Sequence, residues 1–147
     1  MAGTRGRPPQ ALFLDTNVII RTIDRAPTDQ GESAARAITQ AAEGTLSLIL
    51  PDVIVAELAY FFIKAAALPR TEAAEMLAGI VASPGISVGD HRLLIDAIGI
   101  WGSIPIDFPD AYLAALSRRV SDSGVLSFDR DLDRIEGVTR VDPASIA

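Results

Sequence analysis

The sequence predicts an α/β fold, a three-layer α/β/α sandwich with a mainly parallel central sheet. Three observations lead there. Ala11–Leu14 is a short continuous apolar run, the pattern of a strand buried on both faces. Further strand-like runs alternate with segments of helical length, which is how parallel sheets acquire helices on both faces. Aromatic residues make up only 5% of the chain while Ala, Ile, Leu and Val dominate, a composition suited to helices packed on strands.

The elements follow in order. The first strand ends at Asp15, and Thr16 and Asn17 are good caps for a helix from Val18 to Arg25, stopped by Pro27. Asp29–Glu43 is a second, Ala-rich helix ended by Gly44. Leu46–Leu50 is the next strand. Pro51 and Asp52 open a third helix with the body VIVAELAYFFIKAAAL, broken by Pro69. Thr71–Ser83 is a fourth helix, with Glu72 and Glu75 near its positive end. After the Pro84–Gly85 turn comes a brief strand, Ile86–Val88, and then a helix over His91–Trp101 capped by Asp90 with Asp96 on its wet side. DFPDAYLAALSRR forms the sixth helix and Gly124–Phe128 a strand. Asp131–Ile135 is a short turn of helix, and Val138–Val141 the last strand.

With 147 residues, the chain is one domain with a substantial core. Met1–Gln10 is a loose basic leader and residues 11–147 form the domain. The leader has no apolar core, so it is not a signal peptide. Val53–Ile63 is too short to cross a bilayer. With no cysteine either, disulfides, thiolate zinc sites and a Cys nucleophile are excluded, and the expected location is the cytoplasm. The net charge of −6 runs against a phosphate-binding surface, unless the acids gather to hold cations.

The acids carry the argument. Asp15 ends a strand, and ligands of open α/β sheets bind outside the carboxyl ends of strands. It is either a helix cap or a site residue. Glu57 is the only charge in Val53–Ile63, and a helix apolar all round should be buried. A lone buried carboxylate costs several kcal/mol unless paired, neutralised or bound to a cation. Asp107 suits the cap of the sixth helix, with Pro109 in its first turn. Asp110 leads the small apolar face Asp110, Leu113, Ala114, Ser117 and is the better ligand, with Asp107 as cap or supporting acid. Asp129 ends the strand Val125–Phe128 as Asp15 ends the first. Asp131 is placed to reach the same cation, and Asp133 is either solvated or paired with Arg134. If Asp15, Glu57, Asp110 and Asp129 converge, their repulsion raises their pKa values until a divalent cation relieves it. An all-oxygen donor set selects Mg²⁺ or Mn²⁺ over zinc.

FLDTNVII, VIVAEL, DFPDAYLAALS and LSFDRDLDRI, in that order, resemble the four motifs of PIN-domain nucleases, most closely the VapC-type ribonuclease toxins of type II toxin–antitoxin systems. The resemblance covers Leu12 to Val141. It implies a three-layer α/β/α sandwich and Mg²⁺- or Mn²⁺-dependent endoribonuclease activity on RNA phosphodiesters, with Asp15, Glu57, Asp110 and Asp129 as the catalytic, metal-binding acids. Thr16, Asn17 and Ser127 match polar positions beside the first and last acids. The resemblance also implies a homodimer and a small antitoxin partner. Arg21, Arg25, Arg118, Arg119 and Arg130 lie near the motifs and are the expected RNA-facing stripe.

Rival activities fit less well. A phosphatase with a strand-end Asp nucleophile needs a second Asp where Asn17 stands, and a receiver domain wants a late lysine, whereas the one lysine is Lys64. His91 has no nucleophile motif around it. The alternative of another class is a non-catalytic PIN-like scaffold that binds RNA or a protein partner.

Overall fold

A computed structural model describes residues 10–23 and 28–146; most of the leader and Arg25 lie outside the described residues. Among the described residues, five parallel strands alternate with six α-helices, in agreement with the α/β/α architecture expected. Strand β1 (Gln10–Phe13) leads into α1 (Thr16–Ile23) and α2 (Asp29–Ala42). Strand β2 (Leu46–Ile49) is followed by α3 (Asp52–Tyr60) and α4 (Arg70–Val81). Strand β3 (Ile86–Ser87) precedes α5 (His91–Ser103) and α6 (Phe108–Ser117). Strands β4 (Val125–Leu126) and β5 (Arg140–Val141) flank a 3₁₀ turn over Arg130–Arg134.

The strands form two ladders. In the first, β2 lies between β1 and β3, with Leu12 opposite Leu48 and Leu48 opposite Ile86. In the second, β4 pairs only with β5, Val125 opposite Arg140. Among the described residues no pairing joins β1 to β4, so the single sheet expected from the sequence is divided in three and two. The predicted strand Gly124–Phe128 shrinks to two residues, and Phe128 is 77% exposed.

One apolar core ties both ladders together. Leu50, Leu58, Phe62, Leu77, Leu94, Trp101 and Leu132 are fully buried in it, drawn from the strand ends, α3 to α5 and the last turn. Arg70 braces the centre: its guanidinium lies 5.5 Å from the Trp101 ring and donates to the carbonyls of Trp101 (3.0 Å) and Ile106 (3.1 Å). The third helix is shorter than its apolar run suggests. Beyond Tyr60 the chain widens into a π turn over Phe61–Ala65, marked by the bond from Ala66 N–H to the Phe61 carbonyl (2.9 Å). Ala67 then takes φ 51°, and Pro69 starts the next helix. The chain thus reverses while Phe62 stays buried.

Gly85 is the tightest point. It enters β3 at φ +80°, and a Cβ there would lie 2.1 Å from the Ala41 carbonyl oxygen at the end of α2. Its own carbonyl accepts from Leu48 N–H (3.0 Å), so it belongs to the β2–β3 ladder. Only glycine provides this conformation and closeness together.

No helix among the described residues is long and apolar enough to cross a membrane.

Candidate functional site

The first acid stands where the sequence put it, beyond β1. Leu14 N–H extends the β1–β2 pairing to the Ile49 carbonyl (2.8 Å), and Asp15 then turns the chain into α1. The helix begins at Thr16, two residues before the expected start. The Asp15 carbonyl accepts from Val18 N–H (3.1 Å) and its Oδ1 from Thr16 N–H (2.8 Å). Asp15, and not Thr16 or Asn17, therefore closes the helix end. Its other carboxylate oxygen, Oδ2, accepts no hydrogen bond among the described residues, and Asp15 is an exposed residue.

Glu57 is not buried, contrary to the expectation for a helix apolar all round. The helix α3 buries Val55, Leu58 and Ala59, and it exposes Val53 (67%), Glu57 and Tyr60 (68%). Residues 53, 57 and 60 share one stripe, since positions three and four apart lie on the same helix face. Apolar side chains on a wet stripe concealed that face in the sequence. The Thr16 hydroxyl donates to Glu57 Oε2. Thr16 thereby binds two of the four expected acids, Asp15 through its backbone and Glu57 through its hydroxyl.

The second pair is built on α6 and the last turn. Asp107 occupies the cap position, where its carbonyl accepts from Asp110 and Ala111 N–H, but its carboxylate makes no capping bond. Asp110 is half-buried. The face it leads is less apolar inward than expected: α6 buries Ala111, Ala114 and Ala115, while Leu113 is 47% exposed. Asp129 is also half-buried, and its geometry is fixed locally. Its N–H donates to Ser127 Oγ (3.0 Å) and its Oδ1 accepts from Asp131 N–H (2.9 Å). Asp133 pairs with Arg140 (3.0 Å) and not with Arg134, which lies 3.8 Å from Asp131 instead. Arg140 also donates to the Ser127 carbonyl (3.0 Å), so it ties the turn to β5.

Tyr112 joins the halves. Its hydroxyl donates to Asp52 Oδ2 (2.6 Å), linking α6 to the first turn of α3. That bond, with some burial, pushes the phenol up to about 12. Neither Tyr112 nor Arg140 was marked by the sequence, because each acts through a tertiary contact that no local spacing encodes.

The electrostatics single out Asp110. Partial burial, then the charges of Asp129, Asp107 and Asp131, raise its pKa above the ordinary aspartate value. Among the described residues, Asp15, Glu57, Asp107, Asp110 and Asp129 form no ion pair. The two acid pairs remain separate groups: among the described residues no three Asp, Glu or His side chains are gathered into a metal cage. In donor chemistry the acids nonetheless fit a hard divalent ion, being all oxygen and without a cationic partner.

A raised pKa in the folded state means that the folded protein binds the proton more tightly than the unfolded chain does. Stability from this group is therefore highest at low pH and falls as pH rises through the raised value. In chelating buffer, the stability of wild type relative to Asp110→Asn should decline across the window just above the ordinary aspartate pKa. Urea titrations at a series of pH values measure it, and a flat difference would contradict the crowding of Asp110.

Two of the described arginines of the expected stripe are engaged within the fold. Arg118 donates to the Glu136 carbonyl, and Arg119 pairs with Asp90 (2.7 Å) and lies 3.9 Å from Asp96. Both brace the fold. Arg21 and Arg130 are exposed.

A family described as PIN domain matches residues 12–138 by its sequence profile. No curated protein matches the chain.

Proposed function

Because the chain belongs to the PIN domain family, whose fold is of nuclease type, we propose that it is a Mg²⁺- or Mn²⁺-dependent endoribonuclease, the toxin of a toxin–antitoxin pair. The observation that carries this reading is the set of acids without cationic partners among the described residues, of which Asp110 is half-buried within the field of Asp129, Asp107 and Asp131. An idle surface would keep that repulsion with nothing to offset it.

Asp15, Glu57, Asp110 and Asp129 are the residues that would hold the metal. Bound there, a divalent ion supplies a polarised phosphate and a water of lowered pKa. The chain's own residues do the rest. Thr16 holds the Glu57 carboxylate by its hydroxyl and the Asp15 carboxylate by its N–H, leaving an oxygen of each for a ligand. Asp131 N–H holds one oxygen of the Asp129 carboxylate, and Ser127 Oγ fixes the backbone there by accepting from Asp129 N–H. Asp107 and Asp131 add negative potential around Asp110, Asp131 being partly offset by Arg134 at 3.8 Å. In the reaction, the water oxygen bonds to phosphorus, one ester P–O bond breaks, and the departing oxygen takes a proton. The same reading gives the chain a cytoplasmic location, a second copy of itself and a small antitoxin as partners.

Calorimetric titration with Mn²⁺, paired with cleavage of single-stranded RNA, tests the proposal. Heat of binding together with Mn²⁺-dependent cleavage is the expected result. Absence of both would favour a non-catalytic scaffold.

A further inference from the structure

Resting on the ribonuclease reading above, we propose that Arg140 is a positioning residue of the metal site. Its guanidinium clasps both ends of the segment Ser127–Asp133 and so holds Asp129, which lies between them, ready for a divalent cation.

The clasp has a defined geometry. At one end Arg140 Nη1 donates to the Ser127 carbonyl (3.0 Å). At the other, Nε and Nη2 donate to the two carboxylate oxygens of Asp133 (3.0 and 3.3 Å), a forked contact that arginine offers and lysine does not. The Arg140 side chain is only 12% exposed. Strand β5 delivers it, because Arg140 pairs with Val125, two residues before Ser127. Ser127 is in turn gripped three times. Its N–H donates to the Val141 carbonyl (3.1 Å), its carbonyl accepts from Arg140, and its Oγ accepts from Asp129 N–H (3.0 Å). Asp131 N–H donates to Asp129 Oδ1 (2.9 Å). Hydrogen bonds thus lead from the guanidinium to the backbone of Asp129, while Asp129 Oδ2 accepts none among the described residues.

Arg140 stands near Asp129 without pairing with it. The charge of Asp129 acts on the guanidinium, yet no ion pair joins the two among the described residues. Asp133 engages the guanidinium instead, with Asp142 at 3.9 Å. An arginine free to turn would neutralise Asp129 and compete with a metal ion. Pinned by other carboxylates, Arg140 orders the ligand and leaves it unpaired. Metal ligands depend on such supporting bonds, whose loss typically weakens metal affinity about 10–100-fold.

Charge and positioning predict opposite signs. A cation beside the site repels a second cation, so neutralising Arg140 would tighten Mn²⁺ binding if charge were its whole contribution. Loss of the clasp loosens Asp129 and weakens binding.

Calorimetric titration of Mn²⁺ into the full chain, at a temperature where every variant is folded, tests this. Arg140→Gln should raise the Mn²⁺ Kd about tenfold. Arg140→Lys, which keeps the charge but not the fork, should raise it at least about threefold. Val81→Ala, which trims the core on α4, should lower the melting temperature and leave the Kd unchanged. An unchanged or lower Kd in the Arg140 variants, or a Kd raised as much by Val81→Ala, overturns the proposal. RNA cleavage by the wild type separates it from the nuclease reading. Binding weakened in the Arg140 variants, with no cleavage by the wild type, leaves the clasp standing and removes the nuclease. Cleavage by the wild type with a Kd indifferent to Arg140 does the reverse, and no Mn²⁺ binding by the wild type removes both.

Discussion

Asp15→Asn and Asp110→Asn are each expected to lower Mg²⁺-dependent RNA cleavage by at least about 10²-fold, roughly 2.7 kcal/mol of transition-state stabilisation. The fold should survive both. At position 15 an asparagine retains an acceptor for Thr16 N–H, so the start of α1 keeps its cap. At position 110 the amide removes a charge that three neighbouring carboxylates oppose, so the metal-free variant should be no less stable than wild type. Metal linkage gives a second readout. A cation at about 100 times its Kd stabilises a protein by about 2.7 kcal/mol, and this gain should appear in the wild type and shrink in both variants. Kinetics on single-stranded RNA and thermal melts with and without Mg²⁺ measure the two effects. Wild-type cleavage in either variant would remove that residue from the site.

The second large effect concerns stability alone. Gly85→Ala should cost about 2–5 kcal/mol, combining a left-handed backbone forced on alanine with overpacking. The clash is with backbone, since the new methyl would lie 2.1 Å from the Ala41 oxygen and 2.3 Å from its carbonyl carbon. Relief would require α2 to move away from the turn before β3 or Leu48 to lose its partner. Gly99→Ala is the control. Gly99 lies inside α5 with nothing within 4 Å of an added Cβ, so the same methyl should stabilise by about 0.5–1 kcal/mol through helix propensity. Urea denaturation of the pair measures both, and a mild Gly85→Ala would contradict the close approach.

The sequence was informative where chemistry and local rules coincide. Asp15 and Asp129 could be placed beyond strands because each follows an apolar run, and Asp90 could be named a cap, which it is, accepting from Leu93 N–H at 3.0 Å. Glu57 was singled out for a reason that fails: it stands out in an apolar helix, but that helix shows one stripe to water. Residue type alone cannot reveal this when Val53 and Tyr60 occupy the wet positions. The division of the sheet was equally hidden, because apolar runs say which segments are strands and not which edges meet. Partner choice among charges was beyond reach too. Arg140 is seven residues from Asp133, and only the parallel return of β5 beside β4 makes it the partner in place of Arg134.

The split ladder has a mechanical consequence. Asp15 ends a strand of one ladder and Asp129 a strand of the other, so no shared rung of interstrand hydrogen bonds sets the gap between them. They are held relative to one another by side-chain packing in the common core and by the hydrogen bond of the Tyr112 phenol to Asp52, between α6 and α3.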